Sequence, residues 1–184
     1  MKNQNYYPSA KAYFRALPKL ISDRADSQMV PRGRSKHPPR DPFNALLSFG
    51  YGMLFAMVHR TLLGVGLEPA FGFFHQPRSS APPLVLDLME LFRVPLADIP
   101  VIGSVNRNQW NAESDFSVAG AQVWLSDNGR KKAIALFEGR FNDSHKYPFT
   151  GQSLSWARIV ELEARLLEKE WAGSPGLYAC LRMR

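Results

Sequence analysis

The stretch opened by Asp41-Pro42 constrains the fold more than any other part of the chain. Aspartate followed by proline is a good helix start, with a carboxylate at the N-cap and proline at the first helical position. The helix this predicts, over 42–63, is apolar on nearly every face, through Leu46, Leu47, Phe49, Leu54, Phe55, Met57, Val58 and Leu62. A helix that is hydrophobic all round belongs in a protein core. Gly64 and Gly66 are expected to end it. Its uncharged part, Phe43 to Val58, carries Asn44, Ser48, Gly50 and Gly52. That run falls short of the ~20 apolar residues that a membrane span needs. Lys2 to Lys11 is polar and aromatic, unlike a signal peptide. Cys180 is the only cysteine, which excludes an intrachain disulfide and a cysteine-based zinc site. The expected setting is soluble, reducing and cytoplasmic, with no membrane partner.

The rest of the chain reads as further helices around that core. Residues 9–21 form a short helix disturbed by Pro18. A polar, Pro-rich basic connector follows from Ser22 to Arg40, with Asp41 closing it as the cap of the apolar helix (22–41 in all). After a loop, Leu67 to Pro83, the Pro82-Pro83 pair opens a helix that stops before Pro95. Ala97 to Trp110 reads as helix interrupted at Pro100, and Gln122 to Leu125 as a short strand. Ser126 or Asp127 can cap a helix through Phe141. A last long helix, about 153–172, has Leu154, Ile159, Leu162 and Leu166 on one side, a Glu161–Arg165 pair, and Gly173 as its stop. The 184 residues, 45% of them hydrophobic, fit one mainly α domain over 1–184.

Charge is unevenly spread. Residues 1–43 hold nine Lys/Arg against three Asp, whereas 44–184 hold fourteen against thirteen acids. Almost all of the net +7 therefore sits at the N-terminal end, a pattern that suits a polyanion such as nucleic acid. A merely solvated basic tail has the same composition.

Within the 83–94 helix, Asp87 and Glu90 stand at i,i+3 and project from one face, which Arg93 continues. Their neighbours are apolar, and a buried carboxylate needs a cation or a dense set of hydrogen bonds. His75 lies in the preceding loop, after Phe74. One imidazole with two carboxylates would hold Mg²⁺ or Mn²⁺, the histidine favouring Mn²⁺. Spacing alone leaves open an ordinary Glu90–Arg93 helix pair and a histidine that caps a loop.

Three segments, DPFNALLSFGYGML (41–54), GLEPAFGFFH (66–75) and LVLDLMELFR (84–93), closely resemble, in order and separation, the catalytic domain of the CRISPR-associated adaptation integrase, the Cas-one family. Weaker similarity continues through SDNGRKKAIALFEGRF (126–141), LSWARIVELEARLL (154–167) and Tyr178 to Arg182. The resemblance covers nearly the whole chain but only the helical half of a typical member, and so implies a compact variant without the β-rich N-terminal domain. It implies a helical-bundle fold and a metal-assisted DNA integrase and endonuclease. That enzyme joins the 3′-hydroxyl ends of short captured DNA to a CRISPR leader–repeat by transesterification. It carries the family's histidine and second acidic ligand onto His75 and Glu90, and an auxiliary carboxylate near the metal onto Asp87. It makes Arg32, Arg34, Lys36, His37, Arg40, Arg78 and Arg93 a DNA-contacting set, with Asn44, Ser48 and Tyr51 architectural. The implied partners are double-stranded DNA and further copies of the chain, with the family's usual small partner subunit dispensable.

One position departs from the pattern. The family's first metal-binding glutamate falls on Tyr6, and no glutamate precedes Glu68. Three readings follow: a short variant whose metal shell is completed by other ligands, water and substrate phosphate, a sequence that starts inside a longer gene, or a degenerate, catalytically weak copy that binds DNA. A helical scaffold for an acidic protein would leave the GFFH and LDLMELFR segments unexplained.

Overall fold

The computed structural model describes residues 12–76, 81–148 and 150–174, with 176 and 178. The chain is mainly α, and its contacts divide it into two compact units. Met1–Gly50 with Asp98–Ala135 makes the first, and Tyr51–Ala97 with Leu136–Arg184 the second.

Helix α1, Pro42–Val65, is the apolar helix expected from the sequence and runs two residues further. Asp41 caps it as predicted, its Oδ1 accepting the Asn44 N–H at 2.7 Å. At the far end Gly66 adopts φ +91°, while the Leu67 N–H reaches back to the Leu62 carbonyl and the Gly66 N–H to that of Leu63. That is a Schellman cap, which needs a left-handed residue after the helix. The 24 residues make α1 long and apolar enough to cross a membrane by length and composition, which corrects the shorter span expected from Phe43 to Val58. Leu46, Leu47, Leu54, Val58 and Leu62 are instead completely buried against protein, as in a core helix.

In the first unit, residues 12–16 are helical and tighten into a 3₁₀ turn, Leu17–Leu20, where Pro18 stands. Helix α3, Ile99–Asn106, follows a π-type turn, Val94–Asp98. Pro100 lies in the first turn of α3 and so starts it rather than interrupting it, because its missing N–H is not needed there. The helix stops at Asn106; Trp110 lies beyond, its indole N–H donating to Ser104 Oγ at 2.8 Å. The expected strand is β2, Gln122–Leu125, and it pairs antiparallel with β1, Phe116–Ala119, Phe116 opposite Leu125. Ser126 then caps α4, Asp127–Asn142, its Oγ accepting the Gly129 N–H.

The second unit holds α2, Pro83–Arg93, a small hairpin, and α5, Trp156–Trp171. The hairpin pairs β3, Ser144–Lys146, with β4, Ser153–Ser155. Residues 153–155, expected as helix, are therefore strand, and Ser155 caps α5. The buried face of α5 is Trp156, Ile159, Val160, Glu163, Ala164 and Leu167, rotated from the Leu162 and Leu166 face read from the sequence. The rotation turns a glutamate inward. Glu163 is fully buried and accepts a 2.9 Å hydrogen bond from the buried Tyr147 hydroxyl, which satisfies a polar position that composition alone would place outside.

Candidate active site

Helix α2 buries Leu84, Val85, Leu88, Met89 and Phe92, and with them the carboxylate of Asp87. Every lone pair of that carboxylate is answered by the loop before the helix. Oδ2 accepts the N–H groups of Phe73 (2.7 Å) and Phe74 (3.0 Å). Oδ1 accepts the His75 N–H (2.8 Å) and lies 2.6 Å from His75 Nδ1. Burial alone would push the Asp87 carboxyl up. The Phe74 N–H, the His75 ring and the His75 and Phe73 N–H groups outweigh it and hold it below its ordinary value. Asp87 is thus the ionised acceptor and Nδ1 carries the proton, which leaves Nε2 as the ring nitrogen available to a ligand.

Gly72 makes this loop possible. A Cβ there would lie 2.4 Å from Pro83 Cβ and 2.8 Å from Asp87 Oδ2, so only glycine lets the backbone approach the first turn of α2 so closely. The loop also closes the helix start, since the Leu84 N–H donates to the Pro69 carbonyl.

Glu90 stands one turn beyond Asp87 on α2 and is exposed. Arg93 Nη1 donates to its Oε1 at 3.0 Å, the ordinary helix pair that the spacing left open, and the Arg93 guanidinium lies over the Tyr51 ring. Of the three predicted residues the structure therefore joins His75 directly to Asp87 and keeps Glu90 on the same helix. Among the described residues no three of His, Cys, Asp or Glu converge as a metal-holding group. The oxygens of Asp87 all accept hydrogen bonds from the loop, and its side chain has no solvent exposure.

The basic connector divides in the same way. Arg32, Lys36, His37 and Arg40 are exposed. Arg34 turns inward, bonded to the Ser35 carbonyl, Asn44 Oδ1 (2.8 Å) and Ser48 Oγ (3.1 Å), with its guanidinium over the Phe14 ring. Arg34 thereby latches the connector to the start of α1 through Asn44 and Ser48. A cleft of about 550 Å³ with Arg32, Arg34, Arg40, Ser27 and Gln28 among its lining lies in this region. Arg78 and Tyr6 lie outside the described residues.

Residues 8–139 match the family model described as CRISPR associated protein Cas1. This chain belongs to the Cas1 family. It is 54% identical over 176 residues to a Cas4 exonuclease–Cas1 endonuclease fusion of Leptospira interrogans, covering 96% of this chain and 32% of that protein. A CRISPR-associated endonuclease Cas1 of Rhodospirillum rubrum is 35% identical over 170 residues, 92% of this chain and 49% of that one. A casposase bound to its integration product superimposes with TM-score 0.78 at 25% identity, covering 92% of this chain and 49% of that one. The chain thus spans between a third and a half of the length of these relatives.

Sequence reading of this Cas1-family chain missed the amides of Phe73 and Phe74, for which Gly72 was the signal. It also missed Tyr178 as part of the site's surroundings. Burial, then the carboxylates of Glu163, Asp87 and Glu170, push the Tyr178 phenol up, and its ring meets Phe73 edge to face.

Proposed function

We propose that this chain carries the DNA strand-joining and cleaving site of a CRISPR adaptation integrase, dependent on Mn²⁺ or Mg²⁺. The observation that carries it is the His75–Asp87 pair. A buried, ionised carboxylate fixes the imidazole tautomer and orients the ring, the second-shell arrangement typical of a metal-binding histidine. The donor set fits a hard divalent ion: His75 Nε2 and the Glu90 carboxylate, with water and substrate phosphate completing the shell. When bound, that ion supplies Lewis-acid stabilisation of the charge growing on phosphorus.

In the reaction a 3′-hydroxyl oxygen of captured DNA attacks a leader–repeat phosphorus. A new P–O bond forms, the bond to the departing 3′-oxygen breaks, and that oxygen takes a proton. Asp87 holds the His75 ring throughout, and Arg93 holds the Glu90 carboxylate in place through its hydrogen bond. Arg32, Lys36, His37 and Arg40 bind phosphates. Two copies acting on the two ends of one DNA, without the small partner subunit and in the cytoplasm, complete this reading.

The test incubates the protein with short duplexes, Mn²⁺ and a supercoiled leader–repeat plasmid. Covalent joining is expected, and it should disappear in His75→Ala and Glu90→Ala. A second reading, a DNA-binding subunit with weak catalysis, is favoured by the absence of a converging ligand triad among the described residues and by Tyr6 at the family's glutamate position. DNA retention without joining, unaltered by those substitutions, would establish it. Tyr6→Glu is expected to raise Mn²⁺ affinity on the first reading.

A further inference from the structure

Tyr178 belongs to a segment for which the strand-joining reading has no use. Beyond α5 the chain turns back on itself. Gly173 and Gly176 both take left-handed backbone angles, φ +102° and +86°, which glycine adopts without steric cost. The Tyr178 N–H then donates to Glu170 Oε2 at 2.9 Å, eight residues earlier. This return lays the half-buried Tyr178 ring edge to face on Phe73, with centroids 5.8 Å apart and planes at 82°. Both residues belong to the second unit. Phe73 is 55% exposed, so its side chain has few partners to hold it. Its backbone matters more than its exposure suggests. The Phe73 N–H makes the shortest of the three amide bonds to Asp87, 2.7 Å against 3.0 Å from Phe74 and 2.8 Å from His75. Asp87 in turn holds His75 Nδ1.

We propose that Tyr178 is a positioning residue for the His75 imidazole, acting through the Phe73 ring and the Phe73 N–H on Asp87. This rests on the metal-binding reading of His75 above. The loop is gripped from two sides: Gly72 packs its backbone on Pro83, and Tyr178 holds the ring of the next residue. A neutral phenol suits the place. Burial, with the carboxylates of Glu163, Asp87 and Glu170, pushes it up, so it stays protonated and adds no negative charge beside Asp87. An edge-to-face aromatic pair biases an equilibrium by about two- to tenfold, which sets the size of the effect. A ring that only filled space would change stability and leave the imidazole alone.

The experiment uses the full chain with ¹⁵N-labelled histidine and reads the His75 ring directly, its signals assigned by their loss in His75→Ala. In mildly alkaline, metal-free buffer wild type is expected to show one fixed tautomer, protonated at Nδ1. Tyr178→Ala should mix the two tautomers and weaken Mn²⁺ binding in calorimetry by about two- to tenfold. The joining rate should fall with it, while the KM for DNA stays unchanged. Tyr178→Phe keeps the ring contact and should restore the single tautomer and the Mn²⁺ affinity. Glu170→Ala frees the Tyr178 backbone without touching the loop and should reproduce part of the loss, which keeps the test open if Tyr178→Ala does not fold. A Tyr178→Ala or Glu170→Ala protein that melts lower but keeps the fixed tautomer and wild-type Mn²⁺ affinity overturns the proposal. So does a Tyr178→Phe protein as impaired as Tyr178→Ala, because the hydroxyl rather than the ring contact would then be acting. If wild type binds no Mn²⁺ but Tyr178→Ala still mixes the tautomers, the metal reading fails and the positioning role stands.

Discussion

Two buried aspartates, one in each unit, show how the same residue type can finish a structure or begin a site. Asp115 in the first unit has no solvent exposure and binds the Asn111 N–H, the Asn128 amide and the Lys132 ammonium. Burial alone would push its carboxyl up, but the Asn111 N–H and Lys132 dominate the groups that bring it below its ordinary value. Its own carbonyl oxygen lies 1.9 Å from where a Cβ on residue 129 would sit, so Gly129 closes the cluster against α4. Asp87 in the second unit, also buried, is lowered in the same direction, but its answering groups are three amides and one imidazole. A carboxylate answered by a lysine ends in a neutral pair. One answered by a histidine leaves a second ring nitrogen, and the His75 side chain is 26% exposed. That is the physical difference between a tie and a candidate ligand.

The largest effect expected from this contrast is on stability. Lys132→Met leaves Asp115 buried with its Asn111 and Asn128 hydrogen bonds but without its lysine, and should cost about 3 kcal/mol in urea unfolding, near the low end for a broken buried pair because Lys132 is partly in water. If the cost is negligible, Asp115 is not the charge-paired tie described here. The same variant gives a pH test. The folded-state value of Asp115 is depressed below the ordinary 3.8, so its contribution is present above that value and lost as pH falls through the folded one. The gap between wild type and Lys132→Met should therefore close as pH drops well below 3.8.

Asp87→Asn should act mainly on the ligand. Loss of the charge that orients His75 is expected to weaken Mn²⁺ binding by about 10–100-fold in calorimetry, while the protein still folds. Unchanged affinity would reduce Asp87 to a second structural tie and erase the contrast. Gly72→Ala should lower stability by about 1–3 kcal/mol as the loop is driven off Pro83, and Mn²⁺ affinity should fall with it. At the small end, Glu161→Gln removes exposed pairs with Arg158 and Arg165 and should change unfolding by about 0.5 kcal/mol or less. A larger loss would show that surface ion pairs here rival the buried ones.

Much of the scaffold was legible beforehand. The Asp41 cap, the apolar helix behind it, the Ser126 cap, the Gly66 and Gly173 stops and the Glu161–Arg165 pair all depend on groups within a turn or so of each other. Those are distances that sequence spacing encodes directly. The family itself was legible for a related reason, since its motifs are short contiguous segments.

What a side chain does inside the scaffold was not legible in this way. Nothing local distinguishes Arg34, folded back on Asn44 and Ser48, from the exposed Arg32 and Arg40 beside it. Glu163 faces inward, where Tyr147, sixteen residues earlier, offers it a hydroxyl. Asp87 and Glu90 read as equivalent carboxylates on one helix face. Only the packing of a loop 12–14 residues upstream fills the oxygens of the first and leaves the second for Arg93 and solvent. The sequence by itself determined the helices, their ends and the chemistry at hand. Tertiary structure decided which groups are consumed in holding the fold and which remain for a ligand, because hydrogen-bond partners distant in the chain meet only once the core has packed.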